Sequence, residues 1–147
     1  MSVIVKSLQD DTIRVMCKGA DSIIIPRIKQ SQGQSYIEKT KEYLDSFSRE
    51  GLRTLVIAEK IITEGFYHQW SKKYQHALIS TTNREENVNK VAEEIEIEFD
   101  LVGTTAIEDK LQDDVGDTLK FIKSAGIKVW VLTGDKIETA INIGISC

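Results

Sequence analysis

The feature that most constrains the fold is an apolar run that leads directly into a Thr-Gly-Asp turn. Residues 127–132 are almost wholly apolar, which is typical of a strand buried on both faces of a parallel sheet. Thr133, Gly134 and Asp135 then turn the chain into a helix predicted over 137–147. Because ligands bind at the carboxyl ends of strands in parallel sheets, these three residues are candidates for ligand contacts.

The residues before this run extend it into a β-α-β-α unit. A strand is predicted at 100–106 and a helix at 113–125, and the crossovers are expected to be right-handed. The Thr133 hydroxyl and the N–H groups near Gly134 can bind an anion at the start of the last helix. The alternative is that Asp135 only caps that helix, with Glu138 completing a capping-box-like pair.

The first hundred residues predict a different mixture of strands and helices. Two β-branched runs at 1–6 and 12–17, joined by a polar segment, predict a hairpin. A helix is expected at 21–28, where Pro26 must sit in the first turn or kink the element. The other predicted elements are a helix at 36–50 capped by Gly51, a strand at 53–60, and helices at 64–79 and 84–98.

Composition excludes several functional classes. The 19 basic and 23 acidic residues give a net charge of −4, which argues against a nucleic-acid surface. No apolar run approaches the roughly 18–20 residues that a membrane-spanning helix needs. Cys17 and Cys147 lack the spacing of a zinc site, and each is expected to be a small buried residue that packs like an apolar one. His68 and His76 are eight positions apart, which is poor metal geometry, and we expect both on the surface.

Three further positions could carry chemistry. Lys18, at the end of a strand, could line a nucleotide pocket, with Gly19 leaving space for a base; alternatively it is a solvated lysine. Arg53, where a strand begins, could reach phosphate oxygens through paired hydrogen bonds, or could be a surface arginine. The acidic cluster at 108–114 could hold magnesium, or could consist of carboxylates that stabilise the first turn of a helix.

Five short motifs follow one another along the chain: Met1-Ser2-Val3-Ile4-Val5, Lys18-Gly19-Ala20-Asp21, Gly51-Leu52-Arg53-Thr54-Leu55, Ala106-Ile107-Glu108-Asp109-Lys110-Leu111-Gln112-Asp113, and Trp130-Val131-Leu132-Thr133-Gly134-Asp135-Lys136 with Glu138-Thr139-Ala140-Ile141-Asn142-Ile143-Gly144 after it. Their order and spacing resemble the cytosolic region of a P-type ATPase. The Ile-Glu-Asp-Lys-Leu-Gln stretch and the tryptophan before Val-Leu-Thr-Gly-Asp-Lys are most similar to the phospholipid-translocating branch, the flippases. The resemblance covers essentially the whole chain.

The resemblance implies an architecture. Residues 1–99 would be the later half of the nucleotide-binding domain, and residues 100–147 would be part of the phosphorylation domain. The expected fold class is therefore α/β, with an α+β nucleotide-binding lobe followed by an incomplete Rossmann-like piece. We expect the chain to be a segment of a longer protein, and we favour a gene-model fragment.

The resemblance also implies roles for the candidate residues. Lys18 would line the adenine pocket and Arg53 would reach the phosphates of ATP. The Thr133-Gly134-Asp135 turn would grip the transferred phosphoryl group and its nucleotide, and Asp109 would lie at the hinge between the two domains. The implied cofactors are ATP and Mg²⁺, with the magnesium ligands and the phosphorylated aspartate expected outside this chain.

A flippase couples ATP hydrolysis through an aspartyl-phosphate to phospholipid movement across a membrane. The partners implied are ATP, the phospholipid and an accessory subunit, with no nucleic acid, and the implied location is the cytosolic face of a membrane. The sequence lacks the family's Asp-Lys-Thr-Gly-Thr and Gly-Asp-Gly-x-Asn-Asp motifs. We therefore expect the isolated chain to bind nucleotide weakly at most and to be catalytically inactive.

Some positions depart from the family's pattern. The family usually has Gly, Pro, Glu and Gln where this chain has Asp114, Gly116, Asp117 and Ile137.

Two other functions stay open at this point. The chain could belong to a cation-transporting or orphan P-type ATPase, or it could be a non-catalytic nucleotide-binding module.

Overall fold

A computed structural model describes residues 1–108, 112–134 and 137–146. The strands lie in chain order in one four-stranded sheet: β1 (Ser2–Lys6), β2 (Ile13–Gly19), β3 (Arg53–Ile62) and β4 (Asp100–Ile107). The described helices are α1 (Asp21–Ile24), α2 (Gln34–Arg49), α3 (Glu64–Leu78), α4 (Arg84–Ile95), α5 (Val115–Ser124) and α6 (Ile137–Ser146). This architecture confirms the predicted mixed α/β class.

The chain divides into two compact units. The first comprises Met1–Glu38 and Leu55–Thr104, and the second comprises Lys39–Thr54 and Thr105–Cys147. Each unit draws on two separate stretches of sequence. The domain boundary expected near residue 99 stays a prediction.

The predicted hairpin at the start of the chain is confirmed. β1 pairs antiparallel with β2, from Ser2 opposite Cys17 to Lys6 opposite Ile13. In the connecting turn, the Thr12 hydroxyl donates to Asp10 Oδ1 at 2.8 Å and the Thr12 backbone N–H donates to the same oxygen at 3.2 Å. A short polar side chain that accepts bonds from the backbone two residues on is a common way to close a turn.

The sheet of the first unit buries one face. β2 buries Ile13, Val15 and Cys17 at alternate positions, and β3 buries Val56 and Ala58. Because Cys17 lies opposite Ala58, the two strands bury the same face. Full burial of a valine or isoleucine contributes about 1.5–3 kcal/mol, so this face is a major source of stability. The expectation that Cys17 is a small buried residue is confirmed.

The segment after α1 shows how the chain accommodates its proline. The helix predicted at 21–28 ends at Ile24, and Pro26 lies in the first turn of a separate 3₁₀ helix, Ile25–Arg27, that follows it. Ile28 then forms a parallel bridge with Phe99. The Lys29 N–H donates to the Phe99 carbonyl and the Phe99 N–H donates to the Arg27 carbonyl, both at 2.9 Å. These bonds hold the segment beside the residues that lead into β4.

α3 and α4 pack against each other in the first unit. The rings of Trp70 and Tyr74 stack with centroids 4.9 Å apart, and the Trp70 indole N–H donates to the Val91 carbonyl at 2.8 Å. Trp70 and Tyr74 therefore pack along one face of α3. His68 and His76 are exposed on α3, as predicted.

α2 ends where the sequence predicts. Leu44 is buried on this helix, and Gly51 adopts φ 78° just beyond its last turn, in the expected cap position.

Within the described parts of the chain, no helix is both long and apolar enough to cross a bilayer.

The predicted strand at 127–132 is wrong. These residues form no regular secondary structure, and Trp130 and Leu132 are 82% and 94% exposed. A strand of a parallel sheet exists only where neighbouring strands complete its hydrogen bonds, and β1–β4 do not pair with this run. β4, α5 and α6 form close to their predicted bounds, so the predicted β-α-β-α unit lacks its second strand.

Candidate functional site

The face of the first unit's sheet opposite the buried one carries exposed aliphatic side chains and a lysine. Val3, Val5 and Met16 are 40–43% exposed and Ile61 is 60% exposed. Lys18 shares this face, because its position on β2 alternates with buried residues. We call the surface formed by these five residues the outer face. An apolar surface beside a cation suits a ligand with a flat ring and negative charge.

The backbone of Lys18 is held on both sides. Lys18 pairs with Ile57 on β3. The Lys18 N–H donates to the Met1 carbonyl at 3.0 Å, and the Lys18 carbonyl accepts from the Met1 amino group at 2.9 Å. The side chain is exposed. The structure therefore fixes where the Lys18 side chain leaves the sheet and leaves its ammonium group accessible.

Two lysines of this sheet lie on opposite faces. Lys60 pairs with buried Val15, and its ammonium group donates to the Ile97 carbonyl at 2.8 Å. The Phe66 and Phe99 ring centroids lie 5.9 and 5.6 Å from the same nitrogen. Burial lowers the pKa of Lys60. Lys60 therefore has a packing role, unlike the exposed Lys18.

The room expected beside Gly19 is filled by the protein itself. A Cβ at position 19 would lie 3.2 Å from Cδ1 and 3.3 Å from Cγ1 of Ile24. Ile24 is buried, so Gly19 permits close packing of α1 on β2. The prediction that Gly19 leaves space for a base is not supported by this geometry.

Sequence reasoning missed a second cation on the outer side of β2. Arg14 lies 3.6 Å from Glu59 on the neighbouring strand and 3.3 Å from Asp10 in the hairpin turn. Arg14 and Lys18 therefore flank Met16 on one strand face. The alternation Arg-x-Met-x-Lys in the sequence was the signal that could have identified this arrangement.

The other described candidates belong to the second unit. Arg53 is the first residue of β3 and is exposed. Thr133 and Gly134 are exposed in the segment before α6, and a Cβ added at Gly134 would meet no atom within 4 Å. Arg53 and Thr133 both make interactions within the protein. A ligand can approach the backbone at Gly134 closely.

Two predicted site residues, Asp109 and Asp135, lie outside the described residues. Lys18 belongs to the first unit, whereas Arg53 and the Thr133-Gly134 segment belong to the second. Their joint binding of one triphosphate stays a prediction. Within residues 1–108, 112–134 and 137–146, no three His, Cys, Asp or Glu side chains are placed to hold a metal ion.

The chain is similar in sequence to known proteins along its whole length. Residues 1–114 match the family model for the P-type ATPase, cytoplasmic domain N. The chain is 52% identical over 147 residues to a phospholipid-transporting ATPase of Schizosaccharomyces pombe, and 49% identical over 147 residues to the phospholipid-transporting ATPase DNF1 of Chaetomium thermophilum. It is 45% identical over 147 residues to the human phospholipid-transporting ATPase ID.

All of the chain is covered in each of these comparisons, but it spans only 11%, 9% and 12% of the three relatives respectively. The family model covers the sheet with Lys18, all of α1–α4, and Arg53. The chain therefore belongs to the P-type ATPase family, and its residues 1–114 correspond to that family's cytoplasmic domain N.

Proposed function

We propose that this chain supplies nucleotide-binding residues to a phospholipid-transporting P-type ATPase. The observation that carries the proposal is the exposed Lys18 on an aliphatic sheet face, within the part of the chain that matches domain N. The names of relatives at 45–52% identity over the whole chain support phospholipid as the cargo.

The outer face suits the base of ATP. Met16 and Val3, which lie opposite each other, offer apolar contacts to a flat ring, and both are partly exposed. The Lys18 ammonium group beside them can donate to acceptor nitrogens of adenine. Together these contacts would orient the nucleotide with few polar groups, as is usual in small-molecule sites.

The second unit supplies groups suited to phosphate. The Arg53 guanidinium can donate two parallel hydrogen bonds to phosphate oxygens. Thr133 and Gly134 precede α6, a helix of 10 residues whose N-terminal end favours negative charge. By resemblance, Asp135 would also contact the nucleotide and Asp109 would belong to the hinge between the two domains. In this assignment Lys18 holds the base and the second unit holds the phosphates.

Bound Mg²⁺ would neutralise phosphate charge during phosphoryl transfer. By resemblance to the family, we assign the metal ligands to other parts of the parent protein. The same holds for the aspartate that takes the phosphoryl group. This chain's own contribution is to bind and orient ATP.

A nucleotide titration tests the assignment. The chain and its Lys18→Ala and Arg53→Ala variants are titrated with ATP and followed by NMR, with Lys72→Ala on the exposed side of α3 as the charge-matched control. Loss of one charge-assisted hydrogen bond lowers affinity about tenfold or more, so both test variants should bind ATP at least that much more weakly. If Lys18→Ala and Lys72→Ala bind ATP equally well, the pocket is wrongly assigned.

Testing which molecule is transported requires the full-length parent protein. Reconstituted in vesicles, it should move a fluorescent phospholipid between leaflets only when ATP is present, and Lys18→Ala should slow that movement. We further propose that the parent works with an accessory subunit and that this chain faces the cytosol. ATP-driven cation movement in the same vesicles, without lipid movement, would contradict the assigned cargo.

A further inference from the structure

The turn between α2 and β3 is closed by a complete set of helix-end hydrogen bonds. The Leu52 N–H donates to the Phe47 carbonyl at 3.0 Å, and the Gly51 N–H donates to the Ser48 carbonyl at 3.1 Å. With Gly51 at φ 78°, this is the Schellman arrangement. These two bonds satisfy two of the last four carbonyls of α2, which have no partner inside the helix.

A third carbonyl of that helix end is satisfied by a residue far away in the sequence. The Asn142 side-chain amide, on α6, donates to the Arg49 carbonyl at 2.8 Å. A Cβ at Gly51 would lie 3.3 Å from the Asn142 Cβ, so α6 packs directly on the turn. Asn142 therefore recognises the backbone of this turn through both a hydrogen bond and close contact.

The turn and the helix lead to two of the candidate phosphate-binding segments. Arg53 follows Leu52 and is the first residue of β3, and α6 begins shortly after Gly134. Both lie in the second unit. We infer that Asn142 is a positioning residue that holds the turn before Arg53 against the helix that follows the Thr133-Gly134 segment. This inference rests on the proposed function, which assigns Arg53 to the phosphates.

Asn142 would act by restricting the conformational freedom of the backbone before Arg53. Arg53 binds phosphate with less loss of conformational entropy if the backbone before it is already held in place. Without the Asn142 amide, the Arg49 carbonyl must find water, and the turn gains freedom. Ligands that carry phosphates should therefore bind more weakly, whereas ligands that bind through the base alone should keep their affinity.

The test compares ATP with adenosine on the chain and its variants. The variants are Asn142→Ala, Asn142→Asp, Arg53→Ala and the double variant Asn142→Ala with Arg53→Ala, and Asn89→Ala on the exposed side of α4 is the matched control. Asn142→Asp keeps the shape but loses the N–H donor, so it tests the bond if the alanine variant folds poorly. Amide hydrogen exchange at Leu52, without nucleotide, reports the turn directly.

We expect Asn142→Ala and Asn142→Asp to weaken ATP binding about three- to tenfold, the factor that corresponds to one net hydrogen bond. Adenosine binding should not change, Leu52 exchange should become faster, and the double variant should bind ATP as weakly as Arg53→Ala alone. If Arg53→Ala weakens ATP binding but Asn142 substitution does not, or if the two losses add, the positioning role is wrong. If Arg53→Ala has no effect on ATP, the proposed phosphate role of Arg53 is wrong instead.

Discussion

Gly19 and Ile24 lie so close together that a side chain at position 19 would press on the Ile24 side chain. An added Cβ would lie 3.2 Å from Cδ1 of Ile24, which is only 1% exposed. This contact joins the end of β2 to α1, immediately after Lys18. Packing against Ile24 thus favours glycine at a position that the sequence analysis related to a ligand.

We expect Gly19→Ala to destabilise the protein by about 1–2 kcal/mol, because overpacking a buried contact forces neighbouring side chains to move. Ile24→Val removes the nearest methyl group and costs about 0.5–1.5 kcal/mol by itself. The double variant should be more stable than the sum of the two single losses predicts, because the shortened side chain admits the new methyl group. Chemical denaturation of the four proteins measures this coupling.

Gly65→Ala is the matched control. A Cβ at Gly65 would meet nothing within 4 Å, and the residue lies in α3. Because alanine has a higher helix propensity than glycine, this change should stabilise by up to about 1 kcal/mol. Equal losses for Gly19→Ala and Gly65→Ala would show that the contact with Ile24 does not matter.

The hairpin turn should respond to acid. Hydrogen bonds from Ser7 and Thr12 lower the pKa of Asp10 below its ordinary value of 3.8. A lowered folded-state pKa stabilises the protein above the ordinary value, and this contribution disappears as the pH falls towards the folded-state pKa. Asp10→Asn should therefore lower the melting temperature at about pH 6 and have a smaller effect at about pH 3.

Thermal unfolding at the two pH values, together with an NMR titration of the Asp10 carboxyl group, checks this expectation. Asp45→Asn, at an exposed position of α2, controls for removal of a surface carboxylate. A melting-temperature difference for Asp10→Asn that grows on acidification would contradict the assigned hydrogen bonds.

The indole N–H of Trp70 should contribute to the packing of α3 on α4. Trp70→Phe keeps an aromatic ring beside Tyr74 but loses the 2.8 Å bond to the Val91 carbonyl. We expect a loss of about 1–3 kcal/mol in unfolding free energy, since the change removes both packed atoms and the donor for a carbonyl. Tyr74→Phe, which keeps the ring, is the control and should cost less in the same denaturation experiment.

Asp114 carries backbone strain at the start of α5. Its φ is 65°, and its side chain makes no cap hydrogen bond to the helix. Glycine adopts this conformation without steric cost, whereas alanine does not. Asp114→Gly should therefore stabilise the second unit by about 0.5 kcal/mol and Asp114→Ala should destabilise it by about 1 kcal/mol. Thermal unfolding measures both variants. A higher melting temperature for Asp114→Ala than for Asp114→Gly would contradict the assigned backbone strain.

The candidate site was predictable only in part. Lys18 and Arg53 are candidates from the sequence because each lies at a strand end in a motif that resembles a known family. Asn142 also lies in one of these motifs, but the motif does not reveal its partner, which is a backbone carbonyl 93 residues away. Arg14 was missed although its alternation with Met16 and Lys18 is visible in the sequence.

The sequence by itself determined where the local elements lie. The hairpin and the helices ending near Gly51 and Ile95 depend on turns, caps and periodicity, which are interactions between residues near one another in the chain. Only the tertiary structure decided that Gly19 packs against Ile24 and that Asn142 closes the end of α2. It also decided that residues 127–132 form no strand, because an apolar run becomes a strand only when other strands complete its backbone hydrogen bonds.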